Sequence, residues 1–160
     1  MAITFVPEGT EREKEGENPI VEANDGGRDF FSTFGIPILA GRDFDSTDTR
    51  TSRRVVVVNE ALVRKYFPSG NPIGCTFEKG SHHPVRVEII GVCGDAKYDN
   101  LRKDVAPTFY VPYWQETDGV EQATFAIKSR AERKMLVDAA RRDLASVDGN
   151  LPLHGSSHTE

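Results

Sequence analysis

No apolar run in this chain approaches the ~20 residues that a helix needs to cross a bilayer. The longest all-apolar block, VVVV at 55–58, is strand-length. The opening stretch, MAITFVPEGTEREKEGENP, is acidic and lacks the basic-then-apolar layout of a secretory signal. Taken alone, these features describe a soluble cytoplasmic chain. Positive charge is also in deficit: 20 Lys and Arg face 25 Asp and Glu, for a net charge of −5. Phosphate backbones are held by clustered Lys and Arg, so a nucleic-acid partner is not expected. Residues 128–142 hold six basic side chains, but Glu132 and Asp138 interrupt them. That mixture reads as a solvated helix face.

Cysteine is scarce. Cys75 and Cys93 do not form a CxxC, which weakens zinc-ribbon and thioredoxin-type readings. Both fall in expected strands either side of a turn at His82-His83-Pro84. A hairpin centred there brings residue 75 near 90–91, a few residues short of Cys93. A Cys75–Cys93 disulfide is one reading, and two buried apolar thiols are the better one.

Reactive constellations are missing too. Asp43, Asp45 and Asp48 suggest a calcium loop, but an EF-hand starting at Asp43 requires Gly at 48 and Glu at 54, where Asp48 and Arg54 stand. Of the four histidines, His82 and His83 are adjacent in a turn, and His154 and His158 lie in the tail. No third ligand accompanies either pair, so no metal site is expected. GNPIGCT at 70–76 lacks the Lys of a phosphate-binding loop, and its glycines are one residue too close. No G-x-S-x-G elbow exists. Asp95, after a buried strand, is the best lone carboxylate, and a plain turn former is its simpler role. Catalytic residues and cofactors are therefore expected to be absent.

What the chain does have is architecture. Its 160 residues suit one domain or two small lobes and can bury about two-thirds of the unfolded surface. Residues 3–6 read as a strand, followed by a charged exposed loop to 27. Asp29 caps a short helix over 30–34, which Gly35 stops. Residues 36–39 form a strand that Gly41 breaks, and 43–54 form a polar surface loop. VVVV at 55–58 is a strand buried on both faces. Asn59 caps a helix over 60–67, with Leu62, Val63, Tyr66 and Phe67 as its buried stripe. Strands at 73–77 and 85–93 pair across the 80–84 turn, and another strand lies at 108–111. Phe125 and Ile127 suggest a strand over 123–128. Residues 131–147 make the longest helix, with Met135, Leu136, Ala139, Ala140 and Leu144 on its apolar face. Residues 151–153 begin a further strand. The expected division is 1–28 (strand and exposed loop), 29–115 (strand-rich core lobe) and 116–160 (strand–helix–strand segment of a second lobe).

Four of these blocks carry a resemblance. DFFSTFGIPILAGRDF (29–44) resembles the YF-x-T-x-GIPLL-x-GRDF segment of MacB-type periplasmic core domains. VVVVNEALVRKYFPSGNPIG (55–74) resembles their VAVVNEALARRYFPGEDPIG. VEIIGVCGDAKYDNLRKDVAPTFYVPY (87–113) resembles their EIVGVVGDVRY…LREEPRPTVYVPY. The helix from Ala131 and the DGNLPL stretch resemble the closing LRAAVRALDPDLPV. The similarity runs in order over about 28–153.

The resemblance implies an α+β fold with a mixed sheet: a βαβ-type lobe plus a smaller strand-rich lobe. It implies a domain between two transmembrane helices of an ABC transporter permease, on the periplasmic side of the cytoplasmic membrane. Its partners would be the permease's own transmembrane segments, a cytoplasmic ATPase, a second copy in a homodimer, and a periplasmic partner or exported substrate. The domain itself would do no bond chemistry. Since the family domain usually begins upstream, the chain reads as a piece of a longer protein. Residues 43–54 and 96–106 are the exposed segments expected to touch partners. A different class of function, a stand-alone small-molecule-binding or hydrolytic α+β domain, would need a pocket with converging polar groups around Asp95 and Tyr98.

Overall fold

The computed structural model describes residues 1–9, 18–96, 105–116 and 124–149. The chain divides into two compact units, Met1–Ala126 and Ile127–Glu160.

The first unit contains seven strands: β1 (Ala2–Pro7), β2 (Ile20–Gly26), β3 (Ile38–Gly41), β4 (Val55–Asn59), β5 (Thr76–Lys79), β6 (Val85–Cys93) and β7 (Thr108–Pro112). Two helices, α1 (Phe30–Phe34) and α2 (Glu60–Tyr66), and a 3₁₀ turn at Tyr113–Gln115 complete it. The long strand β6 organises the sheet. Its first half pairs antiparallel with β5, and its second half pairs parallel with β4. From β4 the pairing continues through β7, β2 and β1 back to β5. Six strands thus close into a ring of pairings, which leaves them no free edge. β3 adds antiparallel to the far end of β6. The sheet is mixed, with β4–β6 and β2–β7 parallel and the remaining pairs antiparallel.

Alternation along the strands explains the main core. Phe5, Val21, Ala23, Val56, Val58, Phe77, Val87, Ile89, Phe109 and Val111 come from all six ring strands and form one buried cluster with Leu62 of α2. The opposite face of β4 and β7 presents Val55, Val57 and Tyr110 to a second cluster, where Phe31, Ile36 and Phe44 cover them. β4 is therefore buried along its whole length, as its unbroken β-branched run predicts. A bulge in β6 keeps the faces consistent. Val56 pairs with Ile89 but Val57 pairs with Gly91, so Ile90 is the extra residue and Val92 returns to the inner cluster.

Local signals explain the helix ends. The Asn59 side chain accepts from the Leu62 N–H at 2.9 Å, as an N-cap should. It also accepts from the Thr108 N–H and donates to the Ala106 carbonyl, each at 2.9 Å, tying the end of β4 to the start of β7. Gly35 ends α1 at φ 68°, a left-handed stop. Asp29 departs from expectation: its own φ is 59° and its side chain makes no cap hydrogen bond. Its carbonyl instead accepts from the Thr33 N–H at 2.8 Å.

Other elements also differ from the sequence reading. β2 lies within the stretch read as exposed loop. Only Val21 and Ala23 alternate there, and Asn24-Asp25-Gly26 resembles a turn, yet parallel pairing with β7 holds the segment extended. β5 begins at Thr76 because Gly74, at φ 85°, turns the chain just before it. Gly41 does not break β3 but ends it opposite Gly91. A Cβ on Gly41 would stand 2.1 Å from the Ile90 carbonyl oxygen, and one on Gly91 would stand 2.3 Å from that of Arg42. Both glycines are required by this close backbone approach.

In the second unit the described structure is α3 (Arg133–Val147). Leu136, Ala139, Ala140 and Leu144 are half-buried, while Met135 is 65% exposed, so the apolar stripe is narrower than expected. No strand forms over 124–128, where Phe125 and Ile127 are 74% and 59% exposed. The strand expected over 151–153 lies outside the described residues.

Candidate functional site

Asp95 follows β6 and lies against the N-terminus of α2. Its Oδ1 accepts from the Ala61 N–H at 2.9 Å, and its Oδ2 pairs with Arg64 at 2.7 Å. Both oxygens are engaged in fastening α2 to the sheet, the structural role of a residue that ends a strand. Tyr98 and most of the 96–106 connector lie outside the described residues.

The two cysteines are free thiols. Because Thr76 pairs with Glu88, Cys75 lies level with Ile89, and its carbonyl accepts from the Ile89 N–H at 2.9 Å. Cys93 is four residues further along β6, roughly 13 Å at the usual rise per residue. A disulfide needs Cα atoms within about 7 Å. Cys93 is fully buried and packs in the second cluster, and burial pushes its thiol up to about 12. Cys75 is half-buried.

His82 and His83 are exposed in the turn between β5 and β6; His154 and His158 lie outside the described residues. Among the described residues, no group of three or more His, Cys, Asp or Glu could hold a metal ion.

The acidic segment after β3 is organised around an arginine rather than a cation. Arg42 binds Asp48 through two parallel hydrogen bonds of 2.7 and 2.8 Å. Asp48 is buried, and its Oδ2 also accepts from the Asp45 N–H at 2.9 Å. Asp45 in turn accepts from the Thr47 hydroxyl and N–H, which hold its carboxyl below the usual range. Asp43 is pushed the other way, first by burial and then by the neighbouring carboxylates of Asp29 and Asp48. The expected polar surface loop is thus largely exposed, as read, but tied down around the Arg42–Asp48 pair.

That segment leads to the most heavily bonded polar centre of the unit, which the sequence reading missed. Gln115, in the 3₁₀ turn after β7, is 2% exposed. Its Nε2 donates to the carbonyls of Thr49 (2.9 Å) and Arg53 (3.1 Å), and its Oε1 accepts from the Val55 N–H (3.0 Å). The Trp114 indole N–H donates to the Asp48 carbonyl. Next in the chain, Glu116 forms an ion pair with Lys79, whose side chain is 8% exposed. Lys79 stands two residues beyond Phe77 on β5 and so shares its inward face. Burial, and then the Glu116 carboxylate, hold Asp25 above the ordinary carboxylate range. The signal in the sequence was slight: a polar Gln-Glu pair directly after a wholly apolar strand.

Beside this centre lies an open cleft of about 400 Å³ lined by Arg28, Ser46, Asp48, Thr49, Tyr113 and Trp114. Arg28 lies over the Trp114 ring at 5.9 Å, and the Tyr113 and Trp114 rings meet edge to face at 5.1 Å. Aromatic and guanidinium groups of this kind serve contact and binding. No helix among the described residues is long and apolar enough to cross a membrane.

Comparison with known proteins gives the family. No curated protein matches the chain. Among solved structures, the periplasmic region of MacB from Actinobacillus actinomycetemcomitans matches with a TM-score of 0.62 and 20% identity. The match covers 93% of this chain but 64% of that one, so the chain spans under two-thirds of it. A domain of a protein described as a permease, from Porphyromonas gingivalis, matches with a TM-score of 0.54 and 15% identity, over 99% of this chain and 79% of the other. At these identities the structures show a shared α+β fold. The family model for the MacB-like periplasmic core domain matches residues 3–147. The chain belongs to the MacB-like periplasmic core domain family.

Proposed function

We propose that this chain is the extracytoplasmic part of an ABC-type export permease, a non-catalytic body that relays movement of the transmembrane segments and contacts exported substrate or partner proteins. The observation that carries this reading is the family match over 3–147. The ring of six strands around one core supports it physically. Close-packed interiors compress little, so a push at one point displaces the whole body. Hydrolysis of ATP then belongs to a cytoplasmic domain or subunit of the full-length protein, and two copies of the permease form the working dimer.

Tyr113, Trp114 and Arg28 around the open cleft are the contact residues in this reading, since these residue types dominate protein interfaces. The test is ATP-driven export by the full-length protein in membrane vesicles. Removing residues 3–147 should abolish export while leaving basal ATP hydrolysis measurable. Export that persists without them would overturn the reading.

A further inference from the structure

We propose that residues 113–116 form a fixed anchor within unit 1, on the side of β7 from which the chain runs on in sequence toward unit 2. Displacement arriving along the backbone is then delivered to the whole ring of strands instead of being absorbed locally. The inference rests on the motion-relaying function proposed above and locates it in particular residues. A three-residue 3₁₀ turn has little stability of its own. Here its rigidity is supplied from two separate parts of the unit. The 48–55 segment grips it through the Gln115 amide, the Trp114 indole and the Arg50 guanidinium, whose Nε donates to the Trp114 carbonyl at 3.3 Å. From β5, Lys79 grips it through the Glu116 carboxylate.

The position matters as much as the bonds. The turn directly continues β7, which pairs with β4 and β2 inside the ring. Beyond Glu116 the chain proceeds toward unit 2, which begins at Ile127. A frayed turn would absorb a displacement that reached it, whereas a turn held on two sides passes it to β7. The buried Lys79 ammonium strengthens the grip, because releasing Glu116 would cost it its hydrogen-bonded carboxylate and leave Asp25 as the neighbouring negative charge.

Trp114 is the chain's one tryptophan, so its indole N–H gives a single resonance and a direct probe. The experiment is hydrogen exchange by NMR on the 160-residue chain. It follows the Trp114 indole and the Val55 amide against the Val57 and Val58 amides of β4. In the wild type, the opening equilibrium of the anchor probes should match that of β4 within about threefold, as in one cooperative unit. Gln115→Ala should open the indole on the order of tenfold or more beyond any change in β4. The double variant Lys79→Met/Glu116→Met removes both charges together and so protects the fold. It should also loosen the indole while β4 stays as it was. The inference is overturned if the wild-type indole opens on the order of a hundredfold more readily than β4. It is equally overturned if the indole and β4 move by the same factor in both variants. Loss of export in a full-length protein with normal anchor protection would count against the functional reading and not against the anchor.

Discussion

Replacing Gly91 by alanine tests the close backbone approach between β3 and β6. The added Cβ would stand 2.3 Å from the Arg42 carbonyl oxygen, where real contacts begin at about 3.0 Å, so the two must separate by at least about 0.7 Å. Neither side can yield cheaply. Arg42 donates its N–H to the Ile90 carbonyl at 3.0 Å, and the same Cβ meets Val57 of β4 at 3.3 Å. Overpacking of this kind costs about 1–3 kcal/mol, and losing the Arg42 bond adds about 1 kcal/mol. The expected total is about 3 kcal/mol, a large share of the ~5–15 kcal/mol that stabilises a typical domain. With a urea slope of about 2 kcal/mol/M, the midpoint should fall by about 1.5 M. Trp114 fluorescence follows the transition in unit 1. Gly70→Ala is the control: nothing lies within 4 Å of its Cβ, and its stability should stay within about 0.5 kcal/mol of wild type, a midpoint change of at most about 0.25 M. An unchanged midpoint for Gly91→Ala would refute the account of how β3 meets β6.

Three further outcomes follow from single residues. Asn59→Ala removes a cap and strands the Thr108 N–H, while the Ala106 carbonyl keeps the Thr108 hydroxyl, so urea unfolding should show a loss of about 2 kcal/mol. In the native protein at pH 8 a thiol reagent should modify Cys75 well before Cys93, and both equally in urea, because burial pushes the Cys93 thiol up to about 12. Asp43 has a raised carboxyl, so the native state binds more protons than the unfolded one just above the ordinary carboxylate range. Its contribution therefore falls as pH rises through that window. Asp43→Asn keeps the acceptor for the Phe44 N–H and should gain on wild type as pH is raised from 4 to 7 in urea titrations; a constant difference would contradict the assignment.

The elements that could be read from sequence are those whose signals are local. Val55 to Asn59 carries its own burial pattern and its own cap, and both appear in the structure as read. The 80–84 turn and the alternation Val85, Val87, Ile89 likewise specify the β5–β6 hairpin. β2 was hidden because only Val21 and Ala23 alternate in it, a weak pattern, and its partner β7 is distant in the chain. The closure of six strands into a ring is a property of pairing order, which no single segment encodes. Gln115 and Asp48 were hidden for a related reason. Burial of a polar side chain depends on which backbone groups a remote loop leaves unsatisfied, here the Val55 N–H and the Thr49 and Arg53 carbonyls. Phe125 and Ile127 alternate as a strand would, yet 124–128 pairs with no strand among the described residues, and alternation alone does not make a strand.

The central claim is that this domain works outside the cytoplasmic membrane as part of a permease. Its most direct test is the side of the membrane on which an exposed residue is found. Gly70→Cys, in full-length protein with Cys75 and Cys93 replaced, provides an exposed thiol at the end of α2. A membrane-impermeant maleimide added to cells with a permeabilised outer envelope but an intact cytoplasmic membrane should label it. Labelling only after that membrane is broken would contradict the account.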